Sequence, residues 1–145
     1  MGSIFSVYDI RGRAADSLST EYVWNVGKAF AEWLPEDGAI ALVKHPDADQ
    51  TTTHAFVEGV LLQGRNVLDA GTGDQQGVIA LLRDGQAVGG AIITHDSLQN
   101  IEVITLLNAQ GMGITAESGL TEIAELVEAG NFVPAAQKGE VRQAA

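Results

Sequence analysis

The chain has 145 residues, 46% of them hydrophobic and 19% charged, which is too apolar for disorder and enough for one buried core. Eight Lys and Arg stand against 19 Asp and Glu, a formal charge of −11, so the surface repels nucleic acid and anionic membrane, and an anionic ligand needs a local positive site. Cysteine is absent, which excludes disulfides and thiolate metal sites, and no apolar run approaches the roughly 20 residues of a membrane span, so the expected setting is the cytoplasm.

Residues 4–7 read as a short first strand. Ser19 then offers a hydroxyl cap to a helix on which Val23, Val26, Phe30 and Leu34 recur at helical spacing, with Pro35 just beyond. The apolar run 39–43 fits a strand covered on both faces. Thr51, Thr52 and Thr53 are expected to cap a second helix that carries Phe56, Val57, Val60 and Leu61 and stops at Gly64. Residues 66–70 read as a strand and 78–82 as a short helix ending near Gly85. Residues 89–93 read as a buried strand, and 103–107 as a fourth pairing strand. Ser118 opens the last helix, with Leu120, Ile123, Leu126 and Val127 on one face and Gly130 at its end. From Pro134 the Ala/Gln/Lys-rich tail is expected to fray.

Strands alternating with helices of roughly 10 to 15 residues predict an α/β fold. The expectation is a three-layer α/β/α sandwich with a roughly four-stranded, mostly parallel mixed sheet. It forms one domain over residues 1–133, followed by a tail at 134–145. Ligands of such folds bind beyond the carboxyl ends of the strands, which here means loops 44–50, 71–76 and 94–100.

Five segments carry a resemblance. They are Tyr8-Asp9-Ile10-Arg11-Gly12, Gly64-Arg65-Asn66-Val67, Gly89-Gly90-Ala91-Ile92-Ile93-Thr94, Glu117-Ser118-Gly119-Leu120 and Ala129-Gly130-Asn131-Phe132. In order and spacing they resemble the first of the four domains of the α-D-phosphohexomutases, the phosphoglucomutase/phosphomannomutase family. The resemblance implies intramolecular phosphoryl transfer on hexose phosphates in carbohydrate metabolism, with magnesium in the complete enzymes. It implies a sugar-phosphate site touching Tyr8, Arg11, Lys44, His45 and His95. An early-loop arginine such as Arg11 can fork-bind a phosphate, or it can pair with Asp9 and order its own loop.

The likeness breaks in the loops. In the family, the strand ending Gly-Gly-x-x-Ile-Thr runs into Ala-Ser-His-Asn-Pro, whose serine carries the phosphoryl group. Here Thr94 is followed by His95-Asp96-Ser97-Leu98-Gln99, so Asp96 falls at the nucleophile and Ser97 at the histidine. A one-residue shift would put Ser97 in the nucleophile's place, with the Asn-Pro still missing. The loop after the second strand reads Lys44-His45-Pro46-Asp47-Ala48-Asp49 and lacks the family's arginine. The family's magnesium ligands come from an Asp-x-Asp-x-Asp-Arg loop in its second domain, which this sequence lacks, so no cofactor is expected. The implied role is a non-catalytic binding or self-assembling module, with a sugar phosphate and a second copy as partners, the latter through 103–107. The alternative is a component of a multi-domain mutase.

Other constellations compete. Residues 66–73 resemble the Val-Leu-Asp-x-Gly-x-Gly motif of S-adenosylmethionine-dependent methyltransferases, although Gln75 stands where a third glycine belongs. His45, Asp47 and Asp49, with His54, have the donor types of a zinc or manganese site. His95-Asp96-Ser97 has the side chains of a hydrolytic triad but in consecutive positions, which cannot converge. Trp24 and Trp33 share a helix and read as packing residues, Trp33 also as part of a partner surface.

Overall fold

Ser19 Oγ accepts the Tyr22 N–H and starts the first helix, as its residue type predicts. The computed structural model describes residues 9–14, 16 and 18–144, so the expected strand at 4–7 and Tyr8 lie outside the described residues. In chain order the elements are β1 (Ile10–Gly12), α1 (Thr20–Trp33), β2 (Ile40–Lys44), α2 (Gln50–Leu62), β3 (Val67–Thr72), α3 (Gln75–Arg83), β4 (Gly89–Asp96) and β5 (Ile101–Leu107). A wide helical turn (Ala116–Leu120), α4 (Thr121–Ala129) and β6 (Val141–Gln143) complete them.

The strands lie side by side in the order β1-β5-β4-β2-β3-β6. Strands β4, β2, β3 and β6 are mutually parallel, while β5 runs antiparallel to both β4 and β1. From β2 the chain steps to β3 on one side, then back across β2 to β4 on the other. Right-handed crossovers in opposite directions place α2 and α3 on opposite faces. The result is the predicted three-layer α/β/α fold around a mixed sheet. Its six strands exceed the expected four because two edge strands of three residues, β1 and β6, extend it.

The larger core lies under α1, α2 and α4, where Phe30, Phe56, Ile40, Leu42, Ile93 and Ile104 are essentially closed to solvent. The smaller core lies under α3 and joins Val78, Leu81 and Leu82 to Ala41, Val43 and Ile92. Helices α1 and α2 touch backbone to backbone. A Cβ on Gly27 would overlap the Phe56 carbonyl, and one on Gly59 the Trp24 carbonyl. Trp24 and Trp33 are packing residues in fact: the Trp24 ring lies 3.2 Å beneath the Lys28 ammonium, and the Trp33 ring fills the space beside Gly119.

Three boundaries correct the sequence reading. The cap of α2 is Asp49, whose Oδ2 accepts the Thr52 N–H and hydroxyl at 2.8 Å each, so Thr51 to Thr53 lie inside the helix. Thr115 rather than Ser118 caps the last helical segment, with Ser118 as its reciprocal partner; Gly119, at φ +158°, separates that turn from α4. The tail is paired with the body of the fold as far as Ala144. The Ala135 and Gly139 N–H groups reach the Leu62 and Leu61 carbonyls, and β6 then satisfies the edge of β3. Gly130 does end α4 in the left-handed conformation, at φ 64°.

Arg65, just before β3, holds the start of the parallel strands together. Its guanidinium donates to four backbone carbonyls, those of Ala31, Leu34, Glu36 and Gly38, at 2.6–2.9 Å. Two of them belong to the last turn of α1 and its cap, whose carbonyls have no helical partner.

Candidate functional site

The carboxyl ends of β2, β3 and β4 meet at one edge of the molecule, where the expected ligand loops are. Strand β4 is longer than predicted and runs to Asp96. Residues 97–100 form a tight hairpin into β5 whose last residue, Asn100, takes φ 54°, a conformation asparagine tolerates. Thr94, His95 and Asp96 are therefore strand residues, with sheet register Thr94↔Val103, His95↔Glu102 and Asp96↔Ile101.

Alternation along β4 sends His95 and Asp96 to opposite faces, which rules out the triad reading of 95–97 on geometry. His95 turns toward α2. Its Nδ1 hydrogen-bonds Glu102 Oε2, and Glu102 Oε1 accepts the Asp49 N–H at 2.6 Å. The Glu102 side chain is only 2% exposed, so one buried carboxylate ties β4, β5 and the cap of α2 together. The hydrogen bond to Glu102 raises the His95 pKa, burial opposes this, and the charges of Glu102, Asp47 and Asp96 add to the rise.

Asp96 lies on the α3 side. Its Oδ1 accepts the Leu98 N–H at 3.0 Å and the Gln99 N–H at 3.3 Å, closing the hairpin. Ser97 is exposed on that turn. Arg11 shares this face through the register Arg11↔Val103↔Thr94. It makes a two-pronged ion pair with Asp9, Nε to Oδ1 and Nη2 to Oδ2, both at 2.8 Å. That hydrogen-bonded pairing raises the Arg11 pKa, and the more distant Asp96 charge adds to it. The guanidinium side chain stays 43% exposed.

Lys44 and His45 follow one another at the end of β2 but separate. Lys44 crosses to β3, its Nζ 3.3 Å from both oxygens of Asp69. His45 is exposed, its Nδ1 accepting the Asp47 N–H at 3.1 Å. The five expected sugar-phosphate residues are thus not one cluster. Arg11 lies on the α3 face, Lys44 and His95 are diagonal neighbours on the α2 face bonded to different carboxylates, His45 is exposed beyond β2, and Tyr8 lies outside the described residues.

The metal alternative is not assembled. Asp49 is spent on its helix cap, and among the described residues no three His, Asp or Glu side chains lie close enough to hold an ion. Residues 67–72 form the second of the parallel strands in chain order, whereas the methyltransferase motif belongs on the first. Strand β5 is paired with β4 along its length and, on its other side, with β1 at 102–104 and with Gly113 and Ile114 at Leu107 and Leu106, which leaves 103–107 little free edge for strand addition. No helix among the described residues is long and apolar enough to cross a membrane.

Sequence reasoning missed Glu102 and the pairing role of Asp69. A lone carboxylate at an inward position of an apolar strand was the available signal, together with the hairpin that sets it opposite His95.

The model of phosphoglucomutase/phosphomannomutase, alpha/beta/alpha domain I, matches residues 2–134. A phosphomannomutase of Salmonella typhimurium strain LT2 is 27% identical over 142 residues, covering 96% of this chain and 31% of that protein. A phosphomannomutase sequence of Klebsiella pneumoniae is 25% identical over 142 residues and is itself 90% covered. In three dimensions a phosphoglucomutase/phosphomannomutase family protein of Burkholderia thailandensis superposes with a TM-score of 0.77 at 19% identity, over 97% of this chain and 32% of that one. At that identity the superposition shows the fold alone. The chain spans 31% of the length of the Salmonella relative.

Proposed function

The chain belongs to the phosphoglucomutase/phosphomannomutase family through its first domain, and we propose that it is a sugar-phosphate-binding and self-assembling module that transfers no phosphoryl group by itself. The observation that carries this reading is the end of β4. By the gap-free match of the sequence, Asp96 falls where the family has its phosphoryl-carrying serine, and its Oδ1 is engaged by the N–H groups of its own hairpin. Such a carboxylate supplies the negative charge of a phosphoserine without a group to transfer.

The electrostatics agree. Phosphoryl transfer is mostly positioning and neutralisation of oxygens in flight by cations. Here Arg11 is held by Asp9 and Lys44 by Asp69. The carboxylates at this edge are dispersed over two faces of the sheet and do not fit a magnesium ion, so no step is derived through one. Arg11, half exposed on the face it shares with Thr94 and Asp96, is the group best placed to fork onto a phosphate. Val103 and Ile101 on the same face are half-buried, and a second copy covering them would complete the module.

A second reading rests on length: the chain covers 31% of the Salmonella phosphomannomutase, so further domains could complete an enzyme. Supplying the other domains of such a relative in trans and assaying hexose-phosphate interconversion separates the two. The module reading expects no turnover from the chain alone or with those domains, and turnover only once Asp96→Ser is introduced. Turnover by the unaltered chain that disappears in Asp96→Asn or Ser97→Ala would overturn it.

A further inference from the structure

A cavity of about 270 Å³ opens between α2 and the β2–β3–β6 side of the sheet. Its apolar lining comes from Leu42, Val57, Val67 and Val141, and its polar end from Lys44 and Asp69. It lies on the opposite face of the sheet from Arg11 and Asp96. Its volume is on the scale of a small metabolite.

The polar end has an unusual balance. Lys44 Nζ bridges both Asp69 oxygens at 3.3 Å, longer than the roughly 2.7–2.9 Å of a tight charge-assisted bond. The side chains keep 34% and 20% exposure. Asp69 is anchored from behind, its Oδ1 accepting the Gly71 N–H at 2.8 Å, so it stays in place if Lys44 turns to another partner. An anion would meet Asp69 as well as Lys44, inside a chain of net charge −11. A simple cation would meet the reverse. A molecule bearing both charges a few ångströms apart, with an apolar remainder, matches this polar end and the apolar wall, while Gln50, Thr53 and His54 complete the lining on the α2 side.

We propose that this cavity binds a free α-amino acid with an apolar side chain. The carboxylate accepts from Lys44 Nζ, the ammonium donates to Asp69, and the side chain lies along Leu42, Val57, Val67 and Val141. The charged heads keep their pairing in number when the stretched Lys44–Asp69 bridge opens. The ligand's two charges must leave water, each finds an opposite partner as the bridge opens, and burial of the apolar side chain supplies the gain.

The test is a two-dimensional amide NMR titration of the full chain with L-leucine, alongside 4-methylpentanoate (carboxylate only), isopentylamine (ammonium only) and inorganic phosphate. Expected are saturable shifts centred on Leu42, Val57 and Val67 with L-leucine, at least tenfold tighter than with either single-charge analogue. Val57→Phe fills the cavity while leaving both charges, and should abolish the response; Lys44→Met and Asp69→Asn should each weaken it at least tenfold. The proposal is overturned by the absence of a saturable response to L-leucine, by equal or tighter binding of phosphate or of either analogue, or by unchanged binding in Val57→Phe. Val57→Phe and the analogue series decide the matter even if a charge variant fails to fold.

Discussion

The two edges of the sheet handle charge in opposite ways. Where β2, β3 and β4 begin, Arg65 spends its guanidinium on four carbonyls and Asn66 Oδ1 accepts the Glu140 N–H, so polar side chains are locked onto backbone. Where the same strands finish, the charges pair with one another: Lys44 with Asp69, His95 with Glu102, Arg11 with Asp9. A side chain bonded to backbone can be released only by undoing the fold around it. A side chain paired with another, and part-exposed, can exchange its partner for a ligand. The first edge is scaffold, and the second is where a ligand can act.

Breaking the first edge should therefore cost most. Arg65→Ala strands four carbonyls, two of them around the end of α1, and charge-assisted hydrogen bonds of this kind imply a loss of about 3 kcal/mol, read as the shift in urea midpoint. Removing residues 140–145 deletes β6 and with it the bonds from Val67 N to Glu140 O and from Ala144 N to Asp69 O. About 2 kcal/mol should be lost, together with new amide-exchange lability along β3. At the second edge, Lys44→Met should change stability by less than about 1 kcal/mol, because a part-exposed ion pair contributes little. A loss from Lys44→Met equal to that from Arg65→Ala would erase the contrast between the edges.

The smallest effect belongs to His95 and has a definite sign. Its folded pKa is raised above the ordinary imidazole value of about 6.5, chiefly by the hydrogen bond to Glu102. Its contribution is therefore fully present below about pH 6.5 and is lost as pH rises through the raised folded value. The charges acting on it are those of Glu102, Asp47 and, from the other face of the sheet, Asp96. The difference in melting temperature between the unaltered chain and His95→Gln should be largest at mildly acidic pH and shrink toward alkaline pH. A pH-independent difference would mean that packing, not charge, holds the pair.

The helix ends and buried strands were legible in the sequence because they are written in local chemistry. Ser19 as cap, the 3.6-residue recurrence of Val23, Val26 and Phe30, and Gly130 as a left-handed stop all act over one or two turns. The apolar run at 39–43 needed no partner to be read as a buried strand. The second edge was less legible because its pairs are made by register. Glu102 meets His95 only after the 97–100 hairpin sets their strands side by side, and Lys44 meets Asp69 only after α2 returns the chain beside β2. Strand β6 was invisible for a related reason. Val141-Arg142-Gln143 has one apolar residue, and its place is set by the open backbone of β3 rather than by any side-chain pattern. Asp49 and the threonines after it are all good capping types, and only the structure chooses between them.

The most direct test of the central claim, that Asp96 occupies the phosphoryl carrier's place without its chemistry, is intact-mass spectrometry of the chain after incubation with a hexose bisphosphate. Peptide mapping then covers residues 94–100. The account predicts an unmodified mass for the natural chain and a single phosphoryl addition, if any, only in Asp96→Ser. A phosphoryl group on Asp96 or Ser97 of the unaltered chain would contradict it.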